Sequence, residues 1–250
     1  MPAGIATTPL NLGGTRTFGD LLADTVGLFT RHGTVFWSVT FLVVGPAVLL
    51  IDGVWGEQFE NGVGAEGPAA YSLVSIAAFL VVIPPIVTAM HVRVVQRLAD
   101  GVRPTILGAI REALGRLVPA VVTVALYVAS VAVGLALLVA PGIWFAVRYY
   151  FGAQAAVVDA LGPVAALRRS GHVVGPEWGR CFGYLLGSSF VLWLLTAIVS
   201  IPLAAIADAL FGAPGQVVAS AVAQSAGTSL TALFGTLLFF ELRASRDPLA

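Results

Sequence analysis

Five long apolar runs without charge constrain this chain most strongly: residues 34–51, 71–92, 117–147, 181–207 and 215–240. A helix of about 20 apolar residues crosses the ~30 Å hydrocarbon core of a bilayer. Hydrophobic residues make up 58% of the 250 residues and charged residues 10%, whereas a soluble domain carries about 25% charged residues. The sequence therefore predicts an all-α integral membrane protein.

The third run is too long for one crossing, and with Arg148 included it extends to residue 158. Arginines stand on both of its flanks, which predicts that the segment leaves and re-enters the same side of the membrane. We expect the reversal at Pro141 and Gly142, because proline ends a helix and glycine permits a turn.

The prediction is a multi-pass protein of the bacterial inner membrane, formed by one membrane domain with six transmembrane helices. Both termini are expected in the cytoplasm, because the arginines before the first run and after the last run obey the positive-inside rule. Residues 1–16 form a flexible N-terminus in this interpretation. The predicted spans are 34–51, 71–95, 117–140, 143–159, 181–207 and 215–241.

An amphipathic segment precedes each outward span, at 17–32, 104–116 and 163–174. The chain therefore reads as three repeats of one cytoplasmic amphipathic helix plus one transmembrane hairpin. Such helices suit the lipid surface, where basic side chains meet anionic headgroups, and capping of the bundle is an alternative. The arginines predicted to contact anionic lipid are Arg97, Arg103, Arg111, Arg168 and Arg169.

Two patterns within the last spans predict helix contacts. Gly179, Gly183 and Gly187 recur every four residues and form a ridge for close helix packing, either within the chain or at a homodimer interface. In the last span, polar residues share one face, which we expect to face the bundle interior. Interhelical hydrogen bonding and a polar path for a substrate are the two interpretations of that stripe, formed by Ser220, Gln224, Thr228 and Thr231.

Arg148 stands inside an apolar segment without an adjacent acid. With the reversal at Pro141, it lies in the outer leaflet on a short return helix, where its side chain can extend to the headgroups. The alternative is a charge that faces the bundle interior, with Asp208 as its partner.

Catalytic motifs are absent from the sequence. His32, His91 and His172 are far apart, and neither a nucleophile elbow nor a phosphate-binding loop is present. A single cysteine excludes a cysteine-based metal cluster, and the absence of a basic domain argues against nucleic-acid binding. We therefore predict no enzyme activity, no catalytic residues, no metal and no cofactor.

Three places in the chain resemble a known family. They are "PGIWFAVRYYFGAQAAVVDALGPVAALRRS" at 141–170 with Trp-Gly-Arg after it, "FFELRASR" at 239–246, and "FGDLLADTVGLFTRHGTVF" at 18–36. The sequence resembles the membrane domain of glycerophosphoryl diester phosphodiesterases, a family of bacterial membrane proteins. The resemblance implies a multi-pass helical domain, fused in some members to a soluble phosphodiesterase. This sequence carries no such soluble domain, so the implied protein is a membrane module without that activity.

These observations predict a non-catalytic six-helix membrane protein that interacts with lipids or with a partner membrane protein. The expected partners are membrane lipids and a partner membrane protein or a second copy of the chain. The alternative function is a small transporter or the membrane subunit of a transporter or exporter, which rests on the polar stripe and on prolines inside the spans.

Overall fold

The structure is a computed structural model, and it describes residues 16–50 and 81–246. Within these ranges the chain is all-helical. The helices are α1 (Phe18–Val48), α2 (Ile83–Ala99), α3 (Ile106–Leu114), α4 (Leu117–Leu137), α5 (Val139–Arg148), α6 (Gly152–Val158), α7 (Pro163–Val174), α8 (Trp178–Phe211) and α9 (Ala213–Arg246), with a 3-10 turn at Gly175–Glu177. The connection at 52–70 and most of the predicted second span lie outside the described residues.

Three helical stretches of the described chain are long and apolar enough to cross a membrane. They are α4, the continuous stretch Pro163–Phe211, which joins α7 to α8, and α9. The surface of α8 carries large apolar side chains, among them Trp193, which is 66% exposed. An apolar surface of this extent is typical of contact with lipid. The class of helical membrane protein is therefore supported, while the six crossings, the repeats and the sidedness remain predictions.

Helix α1 covers most of two segments that were predicted as separate, the amphipathic segment 17–32 and the span 34–51. It begins at a capping box, in which the Thr17 hydroxyl accepts from the Asp20 backbone N–H and the Asp20 carboxylate accepts from the Thr17 backbone N–H. The helix then continues through the predicted interfacial segment into the first predicted span. Only His32 departs from helical geometry, with φ −124° and ψ 23°, so the expected boundary is a kink within one helix.

The other two predicted amphipathic segments form separate helices. Helix α3 begins after Thr105, whose hydroxyl accepts from the Gly108 N–H at 3.2 Å, and Leu107 on it is 76% exposed. Helix α7 has the expected bounds, with Pro163 in its first turn. It contacts α6 and α4 and buries half of its residues, so it is a part of the bundle rather than a free surface helix. Its buried residues are Ala166, Leu167, Ser170, Gly171, Val173 and Val174.

The reversal after α4 occurs at Leu138, and the prediction of a turn at Pro141 and Gly142 is corrected. Leu138 is extended, with φ −164° and ψ 157°. Pro141 lies in the first turn of α5, where a missing N–H costs no helical hydrogen bond. Gly142 instead permits close packing, since a Cβ built on Gly134 of α4 would lie 2.8 Å from the Gly142 Cα. The return arm is also broken at 149–151 into α5 and α6.

Helix α9 lies at the centre of the described bundle. It packs most extensively against α1 and α8, and next against α2. The largest buried side chains of the core include Phe36, Phe151, Phe234 and Phe239. Because α9 is surrounded on several sides, the polar residues on its buried faces must find a protein partner or line a cavity, whereas Gln224 and Thr231 are exposed.

Candidate functional site

An ion-pair network surrounds the C-terminal end of α9. Glu241 is only 2% exposed, and its carboxylate accepts from the Arg180 guanidinium and from the Arg16 backbone N–H, the latter at 3.1 Å. Glu177 pairs with Arg180 at 2.6 Å and with Arg246 at 3.5 Å. These contacts join the end of α9 to the first turn of α8.

Asp159 forms the second half of the network, because it pairs with Arg169 of α7 at 3.1 Å and with Arg243 of α9 at 3.0 Å. All three charged residues of the segment "FFELRASR" therefore have partners. We use the term ion-pair network for Asp159, Arg169, Glu177, Arg180, Glu241, Arg243 and Arg246.

A cleft of about 470 Å³ opens between α2, α8 and α9. Its apolar walls include Ile83, Val87 and Leu192, and Trp193 lies at its side. None of the described residues that line it is charged. We use the term polar cleft for this space and for its polar lining: Thr88, Tyr150, Ser189, Thr196, Gln224, Thr228 and Thr231.

Three of the four residues of the predicted polar stripe line this cleft, and Ser220 does not. Thr231 donates to the Gly227 carbonyl of its own helix at 3.0 Å, while Gln224 and Thr228 have no hydrogen-bond partner among the described residues. Among the described residues, the part of the polar stripe that lines the cleft thus makes no hydrogen bond to another helix. Gly227 brings α9 close to α8, because a Cβ at this position would lie 2.8 Å from the Thr196 Oγ1.

A buried histidine on α2 makes an interhelical hydrogen bond that the sequence analysis missed. His91 and Ser229 are both fully buried, and Nε2 of His91 lies 2.9 Å from the Ser229 Oγ. Nδ1 lies 2.9 Å from the Val87 carbonyl, which can only accept, so Nδ1 carries the proton and Nε2 accepts from the serine. A substrate has no access to this pair, so its role is to connect α2 to α9. The helical periodicity of the sequence does not indicate this hydrogen bond between α2 and α9.

The pair of Arg148 and Asp208, the alternative interpretation of this arginine, is not formed among the described residues. Arg148 lies beside the start of α8, where the Trp178 indole donates to the Trp144 carbonyl at 3.4 Å and Gly175 contacts the guanidinium. Asp208 is exposed and belongs to the last turn of α8, about 30 residues or roughly 45 Å further along the helix. Arg148 therefore lies at the arginine-rich end, not at the end of the bundle that carries Asp208.

The glycine ridge of α8 is mostly open. A Cβ at Gly179 or Gly183 would meet no atom within 4 Å, whereas at Gly187 it would lie 3.1 Å from the Phe18 ring. Packing within the described chain therefore uses only the last of the three glycines.

The five arginines assigned to lipid contact divide into two groups. Arg97 pairs with Glu112, and Arg169 with Asp159. The hydrogen bond from Arg97 lowers the pKa of the Glu112 carboxyl. The other three are exposed and make no hydrogen bond or ion pair among the described residues: Arg103, Arg111 and Arg168.

No cluster of metal-ligating side chains occurs in the part of the chain that the structure describes. No protein-family model, curated protein or solved structure matches this chain. The resemblance to the phosphodiesterase membrane domain therefore rests on the quoted residues alone.

Proposed function

We propose that this chain is a non-catalytic membrane protein that binds a lipid molecule in the polar cleft. The observation that carries the proposal is the pair of unpartnered polar side chains, Gln224 and Thr228, on the wall of a 470 Å³ space. A polar group without a partner is costly in an apolar surrounding. A ligand that supplies the missing hydrogen bonds would remove this cost.

The lining indicates the chemistry of the ligand. The Gln224 amide can donate and accept, and the Thr228 hydroxyl can do both, while Ile83, Leu192 and Trp193 offer apolar contact. The ligand should therefore carry uncharged oxygens, such as hydroxyl or ester groups, on an apolar body. The glycerol-ester region of a membrane lipid meets this description, and the volume lies within the roughly 300–1,000 Å³ of small-molecule sites.

Diacylglycerol, an uncharged lipid with a free hydroxyl, is a suitable probe. Native mass spectrometry of the purified protein would count the diacylglycerol that remains bound to the wild type and to Thr228→Val and Gln224→Leu. We expect weaker retention by both variants, because each removes a hydrogen-bonding group from the cleft wall.

Ser220→Ala is the matched control, since Ser220 belongs to the same stripe but does not line the cleft. Equal retention by the wild type and the two cleft variants would refute binding in the cleft. Loss of retention in Ser220→Ala alone would place the lipid elsewhere along α9.

A small transporter, or the membrane subunit of one, is the second candidate. The observation in its favour is that three residues of the polar stripe line an uncharged cleft, since a polar path between helices can carry an uncharged substrate. Glycerol flux into proteoliposomes would test this function. Flux that requires the protein and falls in Gln224→Leu would favour transport over lipid binding.

A further inference from the structure

Arg148 is the exception among the half-buried arginines of the described chain. The others each have a carboxylate, amide or carbonyl partner: Arg16, Arg93, Arg97, Arg116, Arg169, Arg180, Arg243 and Arg246. Arg148 has no such partner among the described residues. None of its nitrogens is a buried atom without a partner, so its N–H groups face the surface of the molecule.

The protein nevertheless holds this side chain in a defined place. Ser170 of α7 donates to the Arg148 carbonyl at 2.9 Å and accepts from the Phe151 backbone N–H at 3.2 Å, which fixes the turn after α5. The guanidinium then lies on Gly171, where a Cβ would come within 3.1 Å of Nε and 3.3 Å of Cζ. A Cβ at Gly175, one helical turn later, would lie 3.7 Å from Nη1. Gly171 therefore leaves room for the arginine, whereas a side chain at Gly175 would make only an ordinary contact with it.

One tryptophan, Trp144, packs against the guanidinium, and a second, Trp178, is hydrogen-bonded to Trp144. The Arg148 Cζ lies 4.7 Å from the centroid of the Trp144 ring, which is 42% exposed. Trp178 donates to the Trp144 carbonyl and stacks on Phe182. Tryptophan is enriched at the membrane–water interface, and Trp178 comes just before the uncharged run 181–207. The cluster thus combines a positive charge with aromatic side chains at the end of a spanning helix.

We propose that Arg148, with Trp144 packed against it, binds the phosphate group of a phospholipid headgroup. A guanidinium is always charged and presents a planar fork of N–H donors that matches phosphate oxygens. The exposed tryptophan beside it packs against the apolar part of the same lipid. This site lies outside the polar cleft and does not depend on the function proposed for the cleft.

Binding of a short-chain phosphatidylglycerol to the detergent-solubilised protein tests the proposal. We expect Arg148→Gln to bind this lipid about tenfold more weakly than the wild type, which is the effect of one lost charge-assisted hydrogen bond. Gly171→Ala keeps the charge but displaces the guanidinium, so it should also weaken binding. Arg148→Lys should retain part of the affinity.

Arg31→Gln is the matched control, because Arg31 is an exposed arginine on α1 that makes no hydrogen bond or ion pair among the described residues and is not one of the predicted lipid contacts. It removes the same charge and should bind like the wild type. Equal weakening in Arg31→Gln and Arg148→Gln would mean a general charge effect and would overturn the proposal, as would full affinity in Arg148→Gln. If Arg148→Gln fails to fold, Gly171→Ala decides in the same assay.

Inorganic phosphate and phosphatidylcholine distinguish the sources of the phosphate group. Inorganic phosphate that competes at the same concentration as the lipid would indicate a small-anion site and would overturn the headgroup assignment. Competition by phosphatidylcholine at higher concentration supports it, because that lipid carries the phosphate without net negative charge. Loss of diacylglycerol retention in the cleft variants, with unchanged phosphatidylglycerol binding, would separate the two sites.

Discussion

The polar residues at the C-terminal end of α9 have protein partners, whereas two that line the cleft in its middle have none among the described residues. At its C-terminal end, Glu241, Arg243 and Arg246 all form ion pairs with other elements. In its middle, Gln224 and Thr228 line a cleft without any protein partner among the described residues. The first set holds the bundle together, and the second is available to a ligand.

The difference follows from the cost of leaving each group alone. An unpaired charge away from water costs several kcal/mol, whereas an unpaired hydroxyl or amide costs about 1–3 kcal/mol. A fold can therefore keep a threonine free for a ligand but not a buried carboxylate such as Glu241. The comparison predicts that variants at the two places differ in the free energy of unfolding.

The largest effect is expected from Glu241→Ala. Removal of this carboxylate leaves the Arg16 backbone N–H without its acceptor and leaves Arg180 with Glu177 as its remaining carboxylate partner, so we expect a cost of up to about 3 kcal/mol. Unfolding in mixed detergent micelles, followed by circular dichroism, would measure the change. Asp208→Ala is the control, since that carboxylate is exposed and makes no ion pair among the described residues. Equal stability of both variants would mean that the network does not hold the bundle.

Sequence patterns specified local features well. The start of α1 at the first amphipathic segment, the bounds of α7 and the uncharged run of α8 follow from residue types at fixed spacings. The polar stripe on α9 was also visible as a shared face. Each of these features depends on residues within one helix, which periodicity describes directly.

Features that join distant helices could not be predicted in the same way. The bond between His91 and Ser229 links positions 138 apart, and it depends on the rotation of α2 and α9 about their axes. The alternative partner considered for Arg148, Asp208, does not pair with it among the described residues, because the return arm turns at Leu138 and breaks at 149–151, and the arginine lies against Gly171. The positions of charged residues along the sequence contain no information on how helices are rotated or where the return arm turns.

The second prediction concerns that interhelical bond. Ser229→Ala leaves the His91 Nε2 buried without a donor, which should cost about 1–3 kcal/mol. Ser225→Ala removes a buried hydroxyl from the same helix, but that hydroxyl bonds to the Ala221 carbonyl of its own helix at 2.7 Å, so its loss should cost less. The two variants would be compared by the same unfolding assay, and the reverse order would contradict the assigned role of His91.

A smaller effect should depend on pH. Because Arg97 lowers the pKa of the Glu112 carboxyl below its ordinary value of 4.5, the pair stabilises the fold above that value and the contribution is lost as the pH falls through the lowered pKa. Both side chains are partly exposed, so we expect about 0.5 kcal/mol. The stability difference between the wild type and Glu112→Gln should be present at pH 7 and vanish in acid. A difference of the same size at every pH would exclude the ion pair as its cause.

The smallest change in stability is expected from Thr228→Val, and it bears most directly on the comparison. Thr228 makes no hydrogen bond that the substitution could break, so the free energy of unfolding should change by less than about 0.5 kcal/mol, with an increase if the cleft is empty. Unfolding of the delipidated protein would measure this. Thr236→Val is the control on the same helix, since its buried hydroxyl bonds to the Ala232 carbonyl at 2.7 Å. A marked loss of stability in Thr228→Val would mean that the polar side chains in the middle of α9 stabilise the fold, as those at its C-terminal end do. These side chains would then not be available to a ligand.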